Sequence, residues 1–360
     1  MKKFFVATVV ALASQAVFAQ GILQNIQTSA ALDITAPIDF EHSEDNKLDI
    51  RSAEVMFFGP LDPTFDATVL LAAHNEEGVF VAELEEAFLS SSKLIPSSRF
   101  KLGKFLLGVG RLNQIHQHDW AFISAPRVQA EFFGDEGVAD TGGEFSVLLP
   151  TDSYWDITVG ITNGYTFGHG HESHEEHEHG VGERPHVPTH YIHPVNFIDF
   201  GDRGALQWGM NYLGRTDAEG VKTQLYGLDF VFKKQEGKTV NFLFQSELWY
   251  RNLDTPGEER GEEIGAYFYP QTSLTQQLFL GLRVDLFSEL SRKFASDGSK
   301  QNNLDYGFVP TLTYKHSEFT WFRVAYTYDV QTYQDEPSTT SQKIEFQLVS
   351  ILGAHPAHSF

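Results

Sequence analysis

The sequence predicts an all-β fold, a single antiparallel transmembrane β-barrel of sixteen strands, and three observations carry that prediction. Apolar and polar residues alternate along one segment after another, as they do when the two faces of a strand meet different surroundings. The segments are about ten residues long, which is the length that a tilted strand needs to cross a bilayer. The connections between the segments alternate between short and long, which is typical of a membrane barrel with two unlike rims.

The predicted strands follow one another along the chain with little interruption. They are 25–36, 48–58, 64–73, 79–89, 99–108, 142–149, 154–165, 190–199, 204–214, 222–233, 239–251, 261–269, 276–287, 303–314, 320–332 and 342–352. The alternation is weakest at 25–36 and 190–199, so fourteen strands is the alternative count. Long connections follow odd-numbered strands, among them 109–141 and 166–189, whereas connections after even-numbered strands are mostly tight.

Each predicted strand has two unlike faces. In 278–287, Leu280 and Leu282 lie on an apolar face, and the opposite face carries Arg283 and Asp285. A soluble β-sandwich alternates in the same way, so alternation alone does not say which face points inward. Tyrosines near the ends of the apolar faces favour the membrane barrel, because aromatic girdles lie at the two bilayer interfaces. They are Tyr212, Tyr226, Tyr250 and Tyr328.

The first nineteen residues have the pattern of a cleaved secretory signal. Lys2 and Lys3 precede the apolar run Phe4–Ala13, and Val17–Ala19 provides small residues for cleavage before Gln20. A buried N-terminal helix is the alternative, but the run is short for a span and has the flanks of a signal peptide. No linker or internal repeat follows. We therefore predict a signal peptide at 1–19 and one barrel domain at 20–360.

Composition excludes several classes of protein. The chain has no cysteine, which rules out a disulfide scaffold, a cysteine-ligated metal site and thiol catalysis. It carries 48 acidic and 26 basic residues, a net charge of −22 that argues against a nucleic-acid partner. Neither a G-x-S-x-G nor an H-E-x-x-H motif occurs. The protein is expected not to be an enzyme, and no plug domain precedes the strands as a TonB-dependent receptor would require.

Several short segments resemble a known family. They are Gly103–Phe105, His116–Trp120, Phe132–Gly137, the histidine run from His169, Gly353–Pro356 and the terminal Phe360. The chain resembles Gram-negative outer-membrane porins and, more narrowly, porin-like barrels with a His-rich outer loop that are associated with zinc. The resemblance implies passive diffusion of small solutes, contact with outer-membrane lipid, insertion by the barrel assembly machinery and a homotrimer. Pro356 departs from the family's closing strand, which leaves the role of Phe360 as an assembly signal open.

A His-rich loop is predicted at 166–193. Eight of the 15 histidines lie there: His169, His171, His174, His177, His179, His186, His190 and His193. Imidazoles interleaved with glutamates are ligands for zinc, nickel and copper, and without thiolates the site should exchange its metal. Zinc is favoured by the resemblance, and no resident cofactor is expected. The alternatives are a pH-responsive loop and a solvated acidic surface.

The loop 109–141 is a candidate pore constriction. Irregular backbone at membrane depth is tolerated where it lines a water-filled space, and this segment has charge to place there. The candidate residues are His116, His118, Asp119, Arg127, Glu131, Asp135 and Glu136. Acids predominate, so a constriction built here should favour cations. The alternative is a lid that never enters the lumen. The triplet of His116, His118 and Asp119 is open to two interpretations, a metal in transit or hydrogen-bonded structure.

Charged residues of both signs occupy the predicted lumen face of several strands. They are Glu247, Arg251, Arg283, Asp285, Arg323 and Asp329. They are expected either to set a transverse field across the lumen or to pair as structural bridges.

Three functions are consistent with these features. The first is a porin-like channel for small solutes that favours cations and captures a divalent metal on its His-rich loop. The second is a surface metal-binding barrel that does not conduct. The third is a structural barrel for surface contact in which the histidines are incidental.

Overall fold

The computed structural model describes residues 26–41, 46–76, 79–164, 184–237, 239–257, 260–290, 304–332 and 338–354. The predicted signal peptide at 1–19, the histidines from His169 to His179 and the terminal Phe360 lie outside these residues. All structural statements below concern the described part of the chain.

Sixteen strands form one closed antiparallel barrel. The strands are β1 (Gln27–Asp39), β2 (Asp49–Pro60), β3 (Asp66–Glu76), β4 (Val79–Ser91), β5 (Ser98–Leu106), β6 (Ala139–Leu148), β7 (Tyr154–Thr162), β8 (Val187–Asp199), β9 (Ala205–Thr216), β10 (Lys222–Glu236), β11 (Thr239–Asp254), β12 (Gly261–Ser273), β13 (Leu278–Glu289), β14 (Asp305–Lys315), β15 (Thr320–Gln331) and β16 (Thr339–Gly353). The predicted fold class is confirmed, and the alternative count of fourteen is wrong.

The barrel closes between its first and last strands. Ala30 of β1 pairs with Leu352 of β16, and Leu32 pairs with Ser350. Closure leaves no row of unpaired backbone groups, which a strand edge would expose to lipid. Strand β16 ends at Gly353, whose φ of 93° is one that glycine adopts readily and other residues rarely do. The strand thus ends before Pro356, as the sequence predicted.

The outer surface is apolar and the inner surface is polar. Leu280 and Leu282 of β13 are 44% and 41% exposed, whereas Arg283 and Asp285 of the same strand are buried. A soluble barrel places its apolar residues inside. The inverted arrangement is the one expected when lipid surrounds the strands and polar groups face the lumen.

Most predicted boundaries shift by a few residues, and two of these shifts concern the long connections. Strand β8 begins at Val187, so His190 and His193 are strand residues and the His-rich connection is shorter than the predicted 166–193. Strand β6 begins at Ala139 instead of 142, because Ala139 already pairs with Leu106. Pro188 and Pro194 interrupt the sequence pattern of β8, but pairing with β7 on one side holds it in register from Thr189.

The connections differ between the two rims as predicted. Those after even-numbered strands never exceed six residues, whereas those after odd-numbered strands include 107–138 and 163–186. The short turn 61–65 is stabilised by the carboxylate of Asp62, which accepts hydrogen bonds from the backbone N–H groups of Thr64 and Phe65 at 2.7 and 2.8 Å.

The connection 107–138, which we call the internal loop, contains the only helical residues outside a rim turn in the described chain. Two 3-10 turns, Leu112–Gln114 and Gln117–Asp119, precede the short helix α1 (Arg127–Phe133). Helix α1 ends at Gly134, whose φ of 81° lies in a region that residues with a side chain rarely adopt. Among the described residues, none of the helices has the length and apolar character needed to cross a membrane.

Candidate functional site: the barrel lumen

The internal loop lies inside the barrel. Trp120 and Phe122 are loop residues, yet their exposed fractions are 1% and 0% because strands surround them. Irregular backbone inside a membrane barrel is tolerated because it contacts protein and the water-filled lumen and does not contact lipid. The alternative of an external lid is therefore wrong for 107–138.

One side of the internal loop packs against an aromatic wall, formed by Trp249, Tyr267, Tyr269 and Phe287 of β11–β13. The ring centroid of Phe122 lies 5.7 Å from that of Tyr267 and 5.2 Å from that of Tyr269, with both pairs edge to face. Such pairs add to the free energy gained by burial. This contact holds the loop against one wall without using charge.

Polar side chains of the barrel bind the loop backbone. Oε2 of Glu144 accepts from Gly108 N at 3.1 Å, and Oε1 of Glu247 accepts from Leu112 N at 2.9 Å. Asn211 Oδ1 accepts from Gly110 N at 2.8 Å. Glu247, which the sequence placed in the lumen, is thus buried as an acceptor for the loop and also accepts from Trp249 Nε1 at 2.9 Å.

Arginines bind the middle of the internal loop. Arg51 donates from Nη1 to the carbonyl of Ile123 at 2.6 Å, and Arg283 donates to the carbonyl of Ser124. The Arg283 guanidinium also lies 4.9 Å from the ring centre of Phe122. Because β2 and β13 lie apart on the barrel, the loop crosses the lumen between them.

The other predicted lumen charges are also paired. Arg283 Nε lies 2.9 Å from Asp285 Oδ2, and Arg323 donates to Gln347 Oε1 at 2.7 Å. Arg251 donates hydrogen bonds to the carboxylate of Glu263 and, at 2.7 Å, to the carbonyl of Glu131. Asp329 Oδ2 lies 3.9 Å from Arg127 Nη1. These contacts are of the kind that the structural-bridge alternative predicts.

The opposite side of the loop faces an acidic wall, formed by Glu54 of β2 with Glu85 and Glu86 of β4. A β-bulge creates it. Leu84 pairs with Leu71 and Glu86 with Leu70, which leaves Glu85 without a cross-strand partner. An extra residue re-aims neighbouring side chains, so consecutive glutamates both reach the lumen.

Two loop histidines meet this wall. His118 Nδ1 lies 2.9 Å from Glu54 Oε1, and His116 lies 3.4 Å from both Glu85 Oε2 and Glu86 Oε2. The two rings stack with centroids 6.0 Å apart and an interplanar angle of 8°. The two histidines are buried with Glu54 and Glu86, and Glu85 is half-buried.

The carboxylates shift the protonation of these histidines. Burial acts to lower the pKa of His116, but its hydrogen bond to Glu86 and the charges of the three wall carboxylates outweigh burial and raise the pKa to about 9. For His118, burial is likewise outweighed by Glu54 and Asp119, which raise the pKa to about 10. Both imidazoles carry a positive charge at neutral pH when no other cation is bound.

The predicted constriction residues fall into two groups. His118 and Asp119 pair with each other, Nε2 to Oδ2 at 3.2 Å, and Arg127 lies 2.9 Å from Asp305 Oδ2. Glu131, Asp135 and Glu136 are exposed. The structure thus brings His116 and His118 together with strand carboxylates, and it places His118 and Asp119 in an ion-pair contact.

The described part of the histidine run contains three residues in different settings. His186 is exposed, and His190 Nδ1 lies 3.1 Å from the carbonyl of Pro188. His193 is buried between Asp229 Oδ2 at 2.9 Å and the carbonyl of Gly108 at 3.1 Å. His193 therefore supports the start of the internal loop.

Sequence reasoning missed the strand residues of this site. Besides the acidic wall, His74 of β3 lies 2.8 Å from Glu85 Oε1 and 3.1 Å from Glu136 Oε1. A signal was present in 83–86, where Glu85 and Glu86 break the alternation that a regular strand requires. Such a break marks a bulge.

The comparisons with known proteins support the fold. The chain is 25% identical over 348 residues to an uncharacterized protein of Aquifex aeolicus, covering 89% of this chain and 72% of that one. No family model matches it.

Three solved structures are similar at 10% identity and cover 91% of this chain. An anion-selective porin from Comamonas acidovorans has a TM-score of 0.60 with 99% of its chain covered. The outer membrane channel DcaP of Acinetobacter baumannii has 0.59 and 96%. The trimer form of the outer membrane protein OmpT of Vibrio cholerae has 0.58 and 99%. At this identity the similarity establishes a shared barrel fold.

Proposed function

We propose that the protein is an outer-membrane channel of a Gram-negative cell, through which small solutes diffuse passively. The observation that carries the proposal is a closed barrel with an apolar outer surface and a loop folded into a polar lumen. On this proposal the chain is exported by its signal peptide, inserted by the barrel assembly machinery and surrounded by outer-membrane lipid. It acts without catalysis and without a nucleic-acid partner.

A preference for cations is the second part of the proposal. It is supported by the acidic wall and by Glu131, Asp135 and Glu136, which are exposed on the internal loop. Carboxylates at a narrow passage lower the energy of a cation and raise that of an anion. The fold alone does not set this preference, since one structural neighbour is named an anion-selective porin.

Metal capture by the outer histidines is the third part. The run His169–His179 carries five histidines interleaved with glutamates, a composition that binds zinc, nickel or copper. We include His186 and His190 among the proposed metal ligands. We leave out His193, because its ring is buried against Asp229. Metal held at the mouth would raise its local concentration without an energy source. A homotrimer is proposed by analogy with the trimer form of OmpT.

A second candidate is a barrel that binds metal without conducting. One observation favours it: the internal loop contacts the wall on opposite sides of the lumen, through Phe122 at β12 and His118 at β2. A loop held on both sides leaves less of the cross-section open.

Planar-bilayer conductance of the refolded protein distinguishes the two. Steady openings that favour potassium over chloride, and that micromolar zinc alters, are expected of the channel. Replacing the five histidines of 169–179 by asparagine should reduce the zinc effect and keep the openings. Folded protein that gives no openings contradicts the channel and leaves the metal-binding barrel. Zinc binding that the five replacements do not change contradicts capture by the run.

A further inference from the structure

A cavity of about 180 Å³ is lined by residues of the acidic wall and of the internal loop. Its ionisable lining residues are Glu54, His74, Glu83, Glu85, Lys104, His116 and Glu136. The four carboxylates face one lysine, and Lys104 Nζ is directed to the carbonyl of Leu84 at 2.7 Å. The cavity therefore has an excess of negative charge that a bound cation would offset.

Two groups of three side chains converge in this cavity. Glu54, Glu85 and His116 each offer a ligand atom, and these atoms lie within 4.8 Å of one another. His74, Glu85 and Glu136 form a second group of the same size. Glu85 belongs to both: Oε1 lies 2.8 Å from His74 Nε2, and Oε2 lies 3.4 Å from His116 Nδ1. Each oxygen of one carboxylate thus faces a different imidazole.

Hydrogen bonding does not account for all of these atoms. Within the described residues, Glu85 Oε2 and His74 Nδ1 are buried and have no partner in hydrogen-bond geometry, although His116 and Glu136 lie 3.4 and 3.1 Å away. Buried polar atoms of this kind are rare, and a bound ion is one of the few structural reasons for them. Ligands in a tetrahedral zinc site lie about 3.3 Å apart, which matches these separations.

We propose that this cavity binds a divalent transition metal ion, for which zinc is the probe, through Glu54, Glu85 and His116, with His74 and Glu136 as further ligands. Imidazole and carboxylate together suit zinc, copper and nickel, whereas calcium and magnesium prefer oxygen ligands alone. The ligands come from three adjacent strands and from the internal loop. A bound ion therefore ties the loop to the acidic wall. The site is separate from the outer histidine run and does not depend on conduction.

Zinc titration of the full chain in detergent micelles tests the proposal. The background variant replaces the five histidines of 169–179 by asparagine, so that zinc at the outer run does not contribute. Equilibrium dialysis with elemental analysis is expected to find a bound zinc in this background. Glu85→Gln should weaken its binding by about tenfold or more, since a shared ligand loses its charge. Glu318→Gln is the matched control, because it removes the same charge from an exposed turn outside the cavity and should leave the affinity unchanged.

A second variant covers the case in which Glu85→Gln does not fold, which the heat-dependent gel mobility of the barrel reveals. His116→Gln changes the loop instead of a strand and should also weaken zinc binding about tenfold. X-ray absorption of the bound zinc should show mixed nitrogen and oxygen ligands that include imidazole. The proposal is overturned when the background binds no zinc, or when Glu85→Gln and His116→Gln bind it as tightly as Glu318→Gln. Neither outcome bears on whether the barrel conducts.

Discussion

The two sides of the internal loop are held in place by different kinds of interaction, apolar ring contacts on one side and charged pairs on the other. At the aromatic wall, Phe122 and Phe133 bury their rings against Trp249, Tyr267 and Tyr269, with centroid separations of 4.8–5.7 Å. At the acidic wall, His116 and His118 face buried carboxylates. Apolar contact is non-directional and needs no partner charge. Buried charges are stable only when each is compensated.

The difference assigns separate roles to the two sides. The aromatic contact is satisfied by the chain itself, so it serves to position the loop. On the metal-site proposal, a bound metal ion compensates the same carboxylates that the histidines compensate in its absence. The aromatic wall therefore positions the internal loop, and the acidic wall provides the charged groups that a cation can bind. The following substitutions test that division.

The largest loss is expected from breaking the aromatic side. Phe122→Ala removes a fully buried ring and should lower the free energy of unfolding by about 3–5 kcal/mol. Urea titration in micelles, followed by tryptophan fluorescence, measures it. Phe268→Ala is the control, because Phe268 lies on β12 between Tyr267 and Tyr269 but points outward. Equal losses in both variants would show that the ring does not support the loop.

A smaller loss is expected where charge holds the loop. Arg51 binds Asp33 and the carbonyl of Ile123, and Asp33 is otherwise bound by Gln347 at 2.9 Å. Arg51→Met leaves a buried carboxylate without its cation and should cost about 2–3 kcal/mol. Combining it with Asp33→Asn should restore part of this loss, as the uncompensated charge is removed. A double variant no more stable than Arg51→Met contradicts the explanation.

The close approach of helix α1 to strand β12 on the aromatic side predicts an intermediate loss of unfolding free energy when a side chain is added there. A Cβ atom at Gly265 would lie 2.7 Å from Cγ2 of Val128 in helix α1. Gly265→Ala should therefore displace the helix and cost about 1–2 kcal/mol by overpacking. Gly261→Ala on the same strand is the control, because its Cβ would be 3.4 Å from Leu253. Amide hydrogen exchange of 127–133 should increase in Gly265→Ala alone.

The smallest effect isolates one hydrogen bond on the aromatic side. Tyr269 donates to the carbonyl of Ala121 at 2.9 Å. Tyr269→Phe keeps the ring and should cost about 1 kcal/mol. Tyr226→Phe, on the outer face, provides the comparison and should change the unfolding free energy less. A loss as large as that of Phe122→Ala would mean that the hydroxyl, and not ring burial, fixes the loop.

Much of the architecture was predictable because alternation is a local property. The strand count, the order of short and long connections and the end of β16 before Pro356 all follow from residues that are neighbours in sequence. The boundary of β8 was less predictable, since its prolines hide a strand that pairing with β7 stabilises. The sequence also favoured a loop that enters the lumen, from its length and its charge.

Local sequence pattern could not predict which residues form the site. His116 and His118 were recognised in the loop, but their partners Glu54, Glu85 and Glu86 lie on two strands, 30–64 positions earlier in the chain. The break at Glu85–Glu86 is a signal that a bulge explains only after the pairing with β3 is known. His193 was grouped with the outer histidines, and pairing instead places it against Asp229.

The sequence by itself therefore determined the strands and their two unlike faces, because hydrophobic periodicity acts over a few residues and needs no knowledge of distant neighbours. The strand lengths, the tyrosine positions and the alternating connections then indicated that the apolar face is the outer one. The tertiary structure decided which charged residues meet across the lumen. That depends on strand register, on the bulge at Glu85 and on where the internal loop lies, and each of these is set by contacts between residues far apart in the chain.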